Sequence, residues 1–204
     1  MVKYRDNSNK GAIFVYVIIL CSIIMIFATS IITLLDDGRL YRNSQINAAK
    51  SYYLAESAID EVLNTIYGTT EDIINQYLID LKEYKVQYIM DKNNDKGSDI
   101  RYNPPAFNNY MYIGLISELN SLKYENKNPF EEYSKVHSYK IEAKYEASNK
   151  IIINVVGSYE SARKFIRVEL CMPELIEDGK DHYNLPNVKI RSMYIKSKYQ
   201  TLGV

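Results

Sequence analysis

The hydrophobic residues of this chain are unevenly spread. From Ala12 to Leu35 it reads AIFVYVIILCSIIMIFATSIITLL, 24 residues without a charge. As a helix the run is about 36 Å long, against about 30 Å of bilayer hydrocarbon. A helix in a soluble core rarely needs apolar residues on every face for so long, so the run predicts a membrane-embedded helix. Beyond it the apolar positions keep a helical period. Ala48, Tyr52, Ala55, Ile59, Val62 and Ile66 recur every three or four residues, while Lys50, Glu56, Asp60 and Glu61 fall largely off that face. Gly38 permits a kink between the two stretches, and Gly68 reads as a C-cap. The pattern therefore predicts one long helix over 12–67, with 12–35 in lipid and 36–67 amphipathic.

A second helix is expected over 70–85, with Ile74, Tyr77, Leu78 and Leu81 as its apolar stripe and Thr69 or Thr70 as its cap. Residues 91–109 are rich in Asn, Gly and Pro and read as loop. Residues 111–123 carry a weaker helical pattern, and 125–135 are polar. Then the period changes to alternation. Tyr139, Ile141, Ala143 and Tyr145 alternate with Lys140, Glu142, Lys144 and Glu146, the mark of a half-buried strand. Ser148-Asn149 makes a turn into a β-branched run, and a third strand follows over Lys164–Leu170. Strands near 137–146, 151–157 and 163–171 with short connections predict an antiparallel meander that Pro173 ends. Val188 to Ile195 offers a fourth strand. The expected fold class is α+β: a long N-terminal helix, then a small head over 68–204.

Charge narrows the function classes. Lys plus Arg and Asp plus Glu are 25 each, so no net positive field holds a polyanion, and nucleic-acid binding is not expected. The basic excess at the N-terminus, Lys3, Arg5 and Lys10 against Asp6, leaves that end in the cytoplasm and exports everything after Asp36. Two cysteines, Cys21 and Cys171, cannot build a disulfide framework. They and the two histidines, His137 and His182, are too few for a His- or Cys-based metal cluster. The stretch from Asp91 to Gly97 resembles the start of a calcium loop. Lys96 and Tyr102 stand where that loop needs Gly and Glu, so it reads as a solvated turn. No HExxH, GxSxG or glycine-rich phosphate loop is present, and neither His has a neighbour suggesting a triad. No enzyme activity and no cofactor are expected. The 20 tyrosines read mainly as core, strand and interface residues.

One junction stands out: a short basic leader ends in Lys10-Gly11, directly before the apolar run. The stretch NKGAIFVYVIIL resembles prepilin leaders cleaved after glycine. The later stretch AAKSYYLAESAIDEVL, with Ala49, Tyr53, Ala55, Glu56 and Ala58, resembles the A-E-x-G/A helix segment of PilX-type minor pilins. The end of the meander, GSYESARKFIRVEL, resembles that family's head. The chain thus resembles the type IV pilin-like family, best over residues 1–67.

The resemblance implies a leader over 1–11, with Gly11 its last residue and Ala12 the mature N-terminus. A prepilin peptidase would cleave there and methylate the new amine. Partners would be other pilin subunits, the assembly platform and the membrane. The precursor would sit in the cytoplasmic membrane with its N-terminus inside, and the mature protein at the cell surface in a filament. Major pilins of the family carry Glu at the fifth mature position, which here is Tyr16. That departure, shared with K-type pseudopilins, implies a minor, tip-proximal subunit acting in assembly initiation or surface contact. A single-pass membrane protein with an extracytoplasmic binding or adhesion head is the alternative. It explains the apolar helix but not the Gly11 junction or the Ala55-Glu56 segment. A membrane-tethered enzyme with an unrecognised site is a third.

Overall fold

A computed structural model describes residues 7–93, 101–146 and 149–203, with side chains from Gly11 onward. Its elements are α1 (Asn7–Asn93), α2 (Phe107–Ser121), β1 (Lys123–Lys127), β2 (His137–Glu146), β3 (Lys150–Tyr159), β4 (Ala162–Cys171), β5 (Glu174–Lys180), β6 (Pro186–Arg191) and β7 (Tyr194–Thr201). The fold class is α+β, as the change of period predicts. The chain divides into two compact units, 1–46 and 47–204.

In the first unit, side chains 11–45 of α1 are all exposed. An Ile-rich run is a mediocre helix former in water. In lipid, every backbone N–H and C=O must be paired within the segment, and that enforces a helix. The run's hydroxyls follow the same logic. Ser22 donates to the Ile18 carbonyl at 2.8 Å, Ser30 to Ile26 at 2.8 Å and Thr33 to Thr29 at 2.9 Å. Thr29 bonds back to Met25 and Ile26. These polar groups therefore need no partner from outside the helix. The helix is long and apolar enough here to cross a membrane.

In the second unit, α1 is the spine of the core. Leu54, Ala55, Ala58, Ile59, Val62 and Ile66 are completely buried. They pack on one face of an antiparallel sheet of order β1-β2-β3-β4-β7. Strand alternation supplies that face: Ile141 from β2, Ile151, Ile153 and Val155 from β3, Ile166, Val168 and Leu170 from β4. Phe107, Met111, Leu115 and Leu119 of α2 close the same cluster at helical spacing. On the opposite face, Ile152 and Asn154 are also buried. Their cross-strand neighbours are Lys144 and Glu169 for Ile152, and Glu142 and Arg167 for Asn154. Such long side chains shield a central strand with their methylene stems.

Four sequence expectations are corrected. The helix does not stop at Gly68, and no separate helix begins at residue 70. The buried positions stay in helical phase across the glycine, from Ile66 through Thr70 to Tyr77 and Leu81, and this packing overrides the local preference of glycine. The expected loop 91–109 is shorter at both ends, because α1 runs to Asn93 and α2 starts at Phe107. Part of the polar stretch after residue 123 is β1, which pairs with β2 from Lys123↔Glu142 to Lys127↔Ser138. Finally, 188–195 is not one strand. It divides between β6, paired with β5 in a separate two-stranded sheet, and β7, which adds to β4 as an edge strand. The central part of the calcium-like loop, and Ser148 of the expected turn, lie outside the described residues.

Gly68 is exposed, and a Cβ placed there meets nothing within 4 Å. A mid-helix glycine costs roughly 0.5–1 kcal/mol relative to alanine. Gly68→Ala is therefore expected to stabilise the protein by up to that amount, seen as a higher urea midpoint. A C-cap glycine in the left-handed region would instead be destabilised by the same change.

Candidate functional site

The residues singled out by sequence fall in two places. Gly11, Ala12 and Tyr16 lie on the exposed part of α1 in the first unit. The side chain of Tyr16 is 73% exposed. Among the described residues of this unit, none buries the apolar surface around it.

The helix motif in the second unit is split by the fold. Ala55 and Ala58 are fully buried, whereas Ala49 is exposed and Tyr53 is 64% exposed. The small residues have a steric purpose. Gly157 of β3 lies directly over α1, where an added Cβ would stand 2.0 Å from the Ser51 carbonyl oxygen, 2.7 Å from the Ala55 nitrogen and 3.1 Å from the Ala55 Cβ. Sheet and helix backbones thus touch at Ser51-Ala55-Gly157. Ser51 is itself fully buried, and its hydroxyl donates to the Ala48 carbonyl at 2.9 Å.

Glu56 is not the freely solvated helix residue that its sequence position suggests. One carboxylate oxygen accepts from the Tyr52 hydroxyl at 2.6 Å, and the other from the Lys198 ammonium at 2.9 Å. Lys198 comes from β7, just beyond the Val188–Ile195 stretch for which the sequence predicts a fourth strand. Burial pushes the Glu56 carboxyl up. The Tyr52 and Lys198 hydrogen bonds and the Lys198 charge outweigh it and hold the group below its ordinary value. The linkage then has one sign. The contribution is complete above the unfolded value of 4.5 and is lost as pH falls through the lower folded value. Both side chains are partly solvated, so Glu56→Gln is expected to cost no more than about 1 kcal/mol at neutral pH. Denaturant titrations of both proteins should show that difference vanish below the carboxylate range.

The sequence missed two further clusters. Glu61 accepts hydroxyl hydrogen bonds from Tyr124 of β1 and Tyr139 of β2, both at 2.6 Å. Burial first, then the Glu61 hydrogen bond, raises the Tyr124 phenol far above its usual value. The second cluster surrounds Lys50, whose ammonium lies 5.0 Å from the Tyr133 ring centroid and 4.5 Å from that of Tyr159 and donates to the Tyr159 hydroxyl at 3.0 Å. Only the long-range pairing of strands with helix brings these groups together. His137 is buried beside this cluster. Its Nε2 accepts from the Phe130 amide at 3.1 Å, and its Nδ1 donates to the Lys135 carbonyl at 2.7 Å. Both ring nitrogens are thereby occupied by backbone. Among the described residues, no group of three or more His, Cys, Asp or Glu is placed to hold a metal ion.

The geometry is that of a long N-terminal apolar helix followed by an antiparallel sheet, an architecture compatible with the pilin-like one. No protein-family model, curated protein or solved structure matches the chain.

Proposed function

We propose that this protein is a minor, tip-proximal subunit of a type IV pilin-like filament, in a pilus or a type II secretion-like apparatus. One observation carries the reading. A single helix supplies a charge-free, wholly exposed span over 12–35 and, from Ser51 on, the buried spine of a small head. The span suits two environments in turn, lipid first and then a bundle of similar helices. The transfer is from one apolar medium to another, so packing of helix on helix drives it rather than exclusion of water.

Cleavage after Gly11 by a prepilin peptidase frees the amine of Ala12. A buried amine needs a paired carboxylate. Tyr16 supplies none, so this chain does not neutralise the amine of a neighbouring subunit in the way a fifth-position Glu does. A subunit with no neighbour above it has no such amine to meet. The head, with its buried small-residue seam and exposed Ala49 and Tyr53, is the part left to make lateral or tip contacts.

The test is fractionation of the native host. Shearing should release the protein together with other filament subunits, in far fewer copies than the main subunit. Retention of every copy in the membrane after shearing contradicts the proposal and favours a membrane-anchored binding head.

A further inference from the structure

We propose that the head carries a binding site for a neutral saccharide, in the cleft lined by the first turn of α2, Tyr145 of β2, Asn149 before β3, and Met172 and Pro173 after β4. The cleft has a volume of about 190 Å³. That lies between cavities of about 150 Å³ that hold a benzene ring and the roughly 300–1,000 Å³ of drug-sized sites. A single ring with substituents fits; an extended peptide does not.

Its chemistry differs from that of three other clefts. Those are lined by Glu125, Lys140 and Arg163, by Glu56 and Lys198, or by Lys82 and Glu83. Among the described residues that line this one, none is charged. It presents three carboxamides, Asn108, Asn109 and Asn149, and two phenol rings, Tyr112 and Tyr145, over a floor of buried Met111 and Met172. Asn149 accepts from the Tyr145 hydroxyl through Oδ1 at 3.2 Å, which leaves its amide N–H groups free. Among the described residues, the side chains of Asn108 and Asn109 bond to no other protein group. The N-cap of α2 is Ala106, with no side-chain hydrogen bond. The Asn109 and Tyr110 amides donate to the Ala106 carbonyl, so the polar groups offered to a ligand here are the carboxamides.

Each carboxamide offers a donor pair beside an acceptor, which matches adjacent hydroxyls of a sugar. The C–H face of a sugar ring packs on an aromatic ring, and Tyr112 is 47% exposed to receive it. Tyr112 and Tyr145 stand edge to face, with centroids 5.4 Å apart and planes at 76°. That arrangement offers one face and one edge, not the parallel slot that a planar base enters. With no Lys or Arg among the described lining residues, neither a nucleotide phosphate nor a sugar phosphate finds a counter-ion there. The inference does not depend on the filament reading, because a pilin head and a membrane-anchored head would use the site alike.

The experiment uses the full chain in a detergent without a sugar headgroup. Glucose, galactose, mannose and N-acetylglucosamine are titrated in turn by saturation-transfer NMR. At least one should bind saturably in the millimolar range, with transfer arising from tyrosine ring protons. Tyr112→Ala and Asn109→Ala each remove one contact and should weaken that sugar by about tenfold, the equivalent of about 1.4 kcal/mol. Tyr183→Ala, at an exposed tyrosine in the β5–β6 loop, should leave it unchanged. Tyr112 and Asn109 are both exposed, and unchanged thermal midpoints confirm that the variants fold. The proposal is overturned if no sugar binds saturably, if both variants bind as the parent does, or if inorganic phosphate displaces the sugar.

Discussion

Gly157→Val should abolish the cooperative unfolding transition of the head or lower stability by about 3 kcal/mol or more, the upper range of overpacking penalties. The obstacle is backbone. The Ser51 carbonyl and the Ala55 nitrogen are the nearest atoms to the missing Cβ, and neither can rotate away as a side-chain end does. Relief requires sliding β3 off α1, which would open the contact of Ile153 and Val155 with the buried helix face. Total stabilities of about 5–15 kcal/mol leave little margin for that. Gly203→Ala is the matched control, because a Cβ there meets nothing within 4 Å. Circular dichroism melts of the two variants read the effect directly. Equal melting of Gly157→Val and parent would mean that the helix–sheet seam is not closed as described.

The second large effect concerns the apolar span. Ile24 lies at the middle of 12–35, in a stretch that is entirely exposed. Ile24→Asp places a carboxylate at mid-bilayer, at a cost of roughly 2.5–3.5 kcal/mol. That is roughly a hundredfold or more in partition between membrane and water. The same change at Leu40, beyond Asp36 and Asp37, should cost far less, because that position lies outside the charge-free run. A glycosylation reporter of membrane insertion measures both. Equal insertion of the two variants would count against the span as a membrane segment.

What the sequence disclosed depended on periodicity. The alternation from Tyr139 to Glu146 placed β2, and the continuous β-branched run at Ile151–Val156 placed the central strand. The 24 charge-free residues placed the membrane-length helix. Where local and tertiary signals disagree, the sequence misleads. Gly68 reads as a terminator, yet Tyr77 and Leu81 are buried in phase with Ile66 and carry α1 past it. β1, KYENK, has a single apolar residue, and its place is set by pairing with β2 and by the hydrogen bond from Tyr124 to Glu61.

The site shows the same division. Ala55 and Ala58 were legible as part of a small-residue motif, but the partner that requires smallness, Gly157, is a hundred residues away in sequence. Lys198 as the counter-ion of Glu56 is likewise invisible, because the pair is 142 residues apart in sequence and no local pattern marks it.

The proposed function requires that the chain be processed at Gly11 and moved from the membrane into a filament. Mass spectrometry of its native N-terminus, from membranes and from sheared surface material, tests this most directly. The expected result is a terminus at Ala12 carrying an added methyl group, with the processed form in the sheared fraction. A terminus at Met1 or Val2 in every fraction would contradict it and leave a membrane-anchored binding protein as the better description.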